Sequence, residues 1–142
     1  MNASNWLEQD DNFVVTGKLI PVEGSLHDFR KGKTFSEGWD EVNGYDQTYV
    51  LDKNYGDLTL ASKTSDKDSG LTLSVYTTEP VAHVYTAKYT DVKNGKGGKS
   101  YGEFSAFCVE TQHAPNSINI PEFPSTVLQP EEIYHQTTIY KV

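Results

Sequence analysis

Apolar and polar residues alternate with a period of two in stretch after stretch of this chain, and no window sustains the i, i+3, i+4, i+7 spacing of an amphipathic helix beyond about a turn. In residues 71–78 (LTLSVYTT), Leu71, Leu73 and Val75 share one face and Thr72, Ser74 and Tyr76 the other, as a half-buried antiparallel strand requires. The same pattern predicts strands over 45–52, 57–63, 81–88, 104–111 and 133–141. Between them lie Lys53-Asn54-Tyr55-Gly56, residues 65–70 and residues 94–98, rich in side chains that accept positive φ or bond their own backbone. The fold class expected is therefore all-β, with short antiparallel strands in a sandwich or broad sheet.

Two stretches break this rhythm. Residues 21–44 form a long connection containing Gly24, Gly32 and Gly38, and residues 112–130 hold Pro115, Pro121, Pro124 and Pro130. Loops of that length in a compact domain are usually either binding loops or a sign that an element has been missed. With no internal repeat and no linker, residues 1–142 read as a single unit.

Twelve Lys and Arg against 20 Asp and Glu give a net charge of -8, which disfavours nucleic-acid or anionic-membrane partners, since both require a cationic face. The one basic cluster, Lys93 to Lys99 (KNGKGGK), alternates with glycine and reads as a hairpin tip. No run approaches the roughly eighteen apolar residues of a membrane span, and the start MNASNWLEQDD resembles no secretion signal; the expectation is a soluble, cytoplasmic protein. Cys108, the single cysteine, agrees with a reducing compartment, and Asn2-Ala3-Ser4 is a chance glycosylation sequon.

Among carboxylates Glu110 stands out, because it follows Phe104, Ala106, Phe107, Cys108 and Val109 near a strand end. A carboxylate held against apolar neighbours resists ionisation and suits general-base work; a rim glutamate turned back into water is the plainer alternative. Asp46 opens a strand after a glycine-rich loop, where it could accept ligand hydroxyls or satisfy loop amides. His27, His83, His113 and His135 are too scattered for metal-ligand spacing, and no metal site is expected. His83 reads as a sheet histidine, while His113, close to Glu110, is the better placed for a site. Cys108, inside an apolar strand, reads as an inert structural thiol. Residues 66–70 imitate a calcium loop, but Thr77 stands where the closing glutamate belongs. Arg30, the only arginine, would pair with a loop-organising aspartate. Nine Tyr, six Phe and two Trp permit carbohydrate binding, since flat rings pack on a pyranose face, without selecting it.

The order of motifs resembles the galactose mutarotase (aldose 1-epimerase) family. The carrying segments are Thr16-Gly17-Lys18, Pro21-Val22-Glu23-Gly24, Asp28-Phe29-Arg30, Gly44-Tyr45-Asp46, Ser69-Gly70, Thr77-Thr78-Glu79-Pro80, Val84-Tyr85-Thr86, Gly97-Gly98, residues 107–112 (FCVETQ), Asn119-Ile120-Pro121, Phe123-Pro124 and Leu128-Gln129-Pro130. From about Asn12 onward the chain is similar to the C-terminal half of such an enzyme. The resemblance implies a galactose mutarotase-like β-sandwich, here an incomplete portion of it, whose sheet holds a hexose and interconverts its α and β anomers by acid/base ring opening without a cofactor. It implies Glu110 as the general base, Asp46 as a ligand of sugar hydroxyls, and His83 and Gln112 as further substrate-binding residues.

The departures from the family pattern are local. Gln47 follows the aspartate where the family has His, Val81-Ala82-His83 replaces Gly-Val-Gln, Ala87-Lys88 replaces Gly-Asn, and Ser25-Leu26-His27 replaces Thr-Pro-Phe. These changes are expected to line or adjoin the sugar pocket. The family's catalytic acid, a histidine, belongs to an N-terminal half without counterpart here, so a weak or inactive isomerase is expected. A non-catalytic carbohydrate-binding or interaction module is the alternative, and self-association or pairing with a missing N-terminal half a further expectation.

Overall fold

The computed structural model describes residues 1–38 and 43–142, so part of the long connection before Gly44 lies outside the described residues. Among the described residues there are eight strands: β1 (Ala3–Gln9), β2 (Val15–Pro21), β3 (Asp46–Leu51), β4 (Thr59–Ser65), β5 (Thr72–Thr77), β6 (Val81–Tyr85), β7 (Cys108–Gln112) and β8 (Thr138–Lys141). They form a five-stranded sheet in the order β2-β1-β3-β6-β7 and a three-stranded sheet in the order β4-β5-β8, with every pairing antiparallel. Among the described residues, no helix is long and apolar enough to cross a membrane.

The alternation seen in the sequence decides which face is buried. Tyr49, Leu51, Ala82, Val84 and Val109 point to one side of the larger sheet; Leu51, Ala82 and Val109 meet Ala61 and Val75 of the smaller one, which makes the sandwich. Beyond the edge of that contact, the long connection covers the same side with rings. Phe29 lies 5.0 Å from Tyr45 and 5.6 Å from Phe35, and the Tyr45 hydroxyl donates to the Leu26 carbonyl at 3.0 Å. Arg30 grips Asp28 through two hydrogen bonds of 2.9 and 2.8 Å, which holds the Asp28 carboxyl down at about 2, and locks the turn that carries Phe29. The loop-organising partner expected for the lone arginine is thus Asp28.

The β1–β2 hairpin was not legible in the alternation, and its bulges explain why. Register shifts between Ala3 and Asn5 and between Leu7 and Gln9 interrupt the period of two, and β2 carries Gly17 and Pro21, which only an edge strand tolerates. Gly17 has φ +94°, and a Cβ there would stand 3.2 Å from Ile120. Through that contact the proline-rich loop docks, helped by the Asn116 amide donating to the Val15 carbonyl at 2.8 Å. Leu7, Val15, Val81, Ala114 and Ile120 form a second core beneath it, on the opposite side of the larger sheet from the first. The predicted strand over 133–141 shrinks to Thr138–Lys141, and that over 104–111 starts only at Cys108. The basic segment does close as a hairpin-like loop, with Val92 and Tyr101 exchanging two 2.8 Å backbone bonds.

Two predictions follow from this packing. Leu7, 1% exposed, bridges the hairpin and the proline-rich loop, so Leu7→Ala costs about 2–5 kcal/mol in chemical denaturation, and a loss near zero would show that the second core is not formed. Ala87 sits at φ +55°, where a β-carbon is strained, so Ala87→Gly relieves about 1–2 kcal/mol of backbone strain, offset in part by the entropy of glycine. Unchanged or slightly raised stability in thermal denaturation is expected for that variant, against a clear loss for Gly44→Ala, whose new methyl would meet the Phe104 ring at 2.8 Å.

Candidate functional site

The face of the larger sheet turned away from the smaller one carries Asp46 and Thr48 on β3, His83 and Tyr85 on β6, and Cys108, Glu110 and Gln112 on β7. The pairings Asp46↔Tyr85, Thr48↔His83, His83↔Glu110 and Tyr85↔Cys108 bring them into adjacent rows. Directly opposed residues in an antiparallel sheet share a face and approach to about 4.5–5.5 Å between Cβ atoms. Three strands distant in sequence thus bring Asp46, His83 and Glu110 together.

A tight clamp sets the start of β3. The Thr86 hydroxyl accepts the Tyr45 N–H at 2.8 Å, and the Thr86 N–H donates to the Tyr45 carbonyl at 2.9 Å. Gly44, at φ +89°, lets the chain turn under the Phe104 ring just before it. These contacts join the Gly-Tyr-Asp and Val-Tyr-Thr segments, so both motifs serve the placement of Asp46. Beside it, His83 Nε2 lies 2.8 Å from Asp46 Oδ1, and His83 Nδ1 lies 2.8 Å from Thr48 Oγ1. Thr48 is buried, His83 half-buried and Asp46 more open, so the row runs from the sheet outward to solvent.

Glu110 is exposed, because strand parity gives the inward positions to its neighbours Val109 and Thr111. Of the apolar neighbours that the sequence placed around it, Val109 lies on the other side of β7, and Phe104, Ala106 and Phe107 precede the strand. Cys108 shares its face and is likewise exposed, which corrects the expectation of a buried structural thiol. Two ties from β8 reach the residues flanking Glu110: the Tyr140 hydroxyl donates to the Val109 carbonyl at 2.9 Å, and Thr138 Oγ1 lies 2.6 Å from Thr111 Oγ1. Gln112, half-buried, stands two residues further along the same face, opposite Val81. Gln47 turns away from Asp46 to the other side of β3, its side-chain oxygen accepting the Asp46 N–H at 2.9 Å, so this departure adjoins the site through the backbone.

The histidines exchange the roles that their positions suggested. His113 is drawn away from Glu110 into a buried cluster around Glu79, which is 2% exposed. His113 Nδ1 lies 2.7 Å from Glu79 Oε2, His113 Nε2 lies 2.9 Å from the Tyr55 hydroxyl, and the Tyr134 hydroxyl donates to Glu79 Oε1 at 2.8 Å. The cluster binds the β5–β6 turn to the end of β7 and to the segment before β8. Sequence pattern gave Glu79 no role beyond its motif; its flank by Pro80 and the buried strand β6 was the available signal. His27 packs on Trp6 at 4.8 Å between ring centroids, and burial beside Lys33 pushes its imidazole below the ordinary histidine value. Among the described residues, no group of three or more His, Cys, Asp or Glu could hold a metal. A surface cavity lined by Tyr55, Gln112, His113, Leu128, Tyr134 and His135 reaches the Asp46 face only at Gln112.

The family profile for aldose 1-epimerase matches residues 1–141. Galactose mutarotase from Sus scrofa is 36% identical over 97% of this chain and 41% of its own length, and that from Homo sapiens 34% identical over 99% and 42%. Aldose 1-epimerase from Escherichia coli K12 is 27% identical over 98% of the chain. The solved structure of an aldose epimerase homologue from C. elegans superposes with a TM-score of 0.87 at 32% identity, covering 99% of this chain and 43% of that one. The chain therefore spans about two fifths of the length of the curated relatives it matches.

The Glu79 cluster generates a test of its own. Partial burial and the bond to Glu79 push the Tyr134 phenol up from 10.0 to about 12. A raised phenol stabilises the fold below pH 10 and loses that contribution as pH rises through about 12. Denaturant titrations of the wild type therefore lose stability between pH 10 and about 12, and Tyr134→Phe flattens part of that loss; an identical slope in the variant would sever Tyr134 from Glu79.

Proposed function

The chain belongs to the aldose 1-epimerase family, and from that premise we propose that its β3–β6–β7 face receives a hexose such as galactose or glucose and takes part in interconverting the α and β anomers. The observation that carries this is the gathering of Asp46, His83 and Glu110 on one open face. Glu110 acts as the general base that takes the proton of the anomeric hydroxyl. Asp46 accepts sugar hydroxyls, and His83 and Gln112 add hydrogen bonds beside it. Ring opening needs only proton transfers, so no cofactor enters.

The family's acid histidine has no counterpart among these residues. By the family pattern that acid belongs to an N-terminal half that this chain does not match. β7, which carries Glu110, is the edge strand of the larger sheet among the described residues, and an edge is where a complement can pair. A general acid contributes roughly 10²- to 10⁴-fold to rate, and the isolated chain is weaker than its full-length relatives by a factor of that order.

A second function is favoured by the contrast between the ordered Thr48–His83–Asp46 row and the solvent-exposed Glu110: a carbohydrate-binding module without turnover. Polarimetry on freshly dissolved α-D-galactose and α-D-glucose, with isothermal titration of both sugars, separates the two. Slow mutarotation lost in Glu110→Gln supports the isomerase, and saturable binding untouched by that change, without turnover, supports the module. Near-normal family turnover by the isolated chain would overturn the missing acid. Asp46→Ala weakens galactose binding about ten- to hundredfold in either case, as loss of a charged hydrogen-bond partner does. A clean monomer in size-exclusion chromatography would count against self-pairing through β7.

A further inference from the structure

His83 stands opposite Glu110 in the β6–β7 register, so the two side chains rise together from the open face. Its ring nitrogens are held at 2.8 Å by Asp46 Oδ1 and at 2.8 Å by Thr48 Oγ1. Those partners suit the neutral and the charged ring alike. Asp46 accepts from Nε2–H in both states. The Thr48 hydroxyl donates to Nδ1 of the neutral imidazole and accepts from Nδ1–H of the imidazolium, because a hydroxyl can do either. Although only 15% of its side chain is exposed, His83 can thus gain or lose its Nδ1 proton without stranding a buried polar atom, and departure of the Nε2 proton requires a substrate hydroxyl to take its place on Asp46. A glutamine, which the family resemblance leads one to expect at this position, offers no such proton. The other titratable side chains that this sheet presents on the face are Asp46 from β3, Tyr85 from β6, and Cys108 and Glu110 from β7.

We propose that His83 is a catalytic acid in this chain, delivering its Nε2 proton to the ring oxygen of the hexose while Glu110 takes the proton of the anomeric hydroxyl. This rests on the hexose function assigned to the face above. The imidazolium exchanges its bond to Asp46 for one to the ring oxygen, and the freed Oδ1 accepts a sugar hydroxyl. The Nε2–H bond breaks as the O–H bond forms on the ring oxygen, and the electron pair of the bond between the anomeric carbon and the ring oxygen passes to that oxygen. The electron pair of the anomeric O–H bond becomes the second bond of the new carbonyl as its proton moves to Glu110. His83 is then neutral and Glu110 protonated; closure of the ring on the other face of the carbonyl returns both protons. The residual turnover of the isolated chain runs through this pair.

The test compares wild type with His83→Gln by polarimetry on α-D-galactose across pH 5 to 9, with titration calorimetry for binding and nitrogen NMR of the imidazole. We expect the protein-dependent rate to fall by roughly 10²-fold in the variant while galactose affinity is retained. The wild-type rate is expected to decline with rising pH where the NMR shows His83 losing its proton, and that decline to vanish in the variant. A variant at wild-type rate, a decline that persists without His83, a rate and an affinity that fall together, or a His83 ring that keeps one charge state throughout would overturn the assignment. Galactose binding without protein-dependent mutarotation by the wild type would overturn this inference alone, whereas absence of galactose binding would overturn the hexose function beneath it.

Discussion

Burial of Tyr49, Ala82, Val84 and Val109 on one side of the larger sheet is the constraint from which the site follows. Side chains alternate strictly along a strand, so once those residues face inward, Thr48, His83 and Glu110 have to face outward. A slip of one residue in the β3–β6 or β6–β7 register would bury a carboxylate and expose the core, at a cost no local contact could offset. The chemistry of the open face is thereby specified by apolar residues that never touch it. Asp46 is the member placed least by this rule, because it sits at the strand start, and Thr86 and Gly44 complete its placement.

The strands that proved legible in sequence are those whose alternation is unbroken. β3, β4 and β5 appear within one or two residues of their predicted ranges, and β6 ends three residues before its predicted range does. The β1–β2 hairpin escaped because two bulges shift its phase and because Gly17 and Pro21 read as turn residues. The strand predicted before Cys108 failed for a different reason: Phe104 has φ +59° and belongs to a loop, so its apolar character serves packing against Gly44. Alternation reports solvent on one side of a strand, and it goes silent wherever a loop covers the outer face, as the proline-rich segment does over Val15 and Leu7.

The site was partly legible. The motif order singled out Asp46, His83, Glu110 and Gln112, and the register sets them on one face. Position along the chain misled for His113, since closeness to Glu110 in sequence says nothing about which partner a side chain turns to. A carboxylate as deeply buried as Glu79 requires a hydrogen-bonded cation or donors, and His113 with Tyr134 meets that need. His83 is the converse case, a histidine that looked like ordinary sheet filling and instead joins two strands between a hydroxyl and a carboxylate. Neither outcome depends on propensity; both depend on which buried polar atoms must find partners.

The link between β8 and β7 has a consequence for the order of folding. β8 pairs with β5 across sixty residues of intervening chain, and from that pairing Tyr140 and Thr138 reach Val109 and Thr111. Closing a loop of that size is among the slower events in β-sheet assembly. The strand bearing Glu110 therefore draws part of its support from a pairing that closes a longer loop than the β3–β6 pairing that aligns Thr48, His83 and Asp46. A folding chain would align Asp46 with His83 by closing a shorter loop than the one that ties down the neighbours of Glu110.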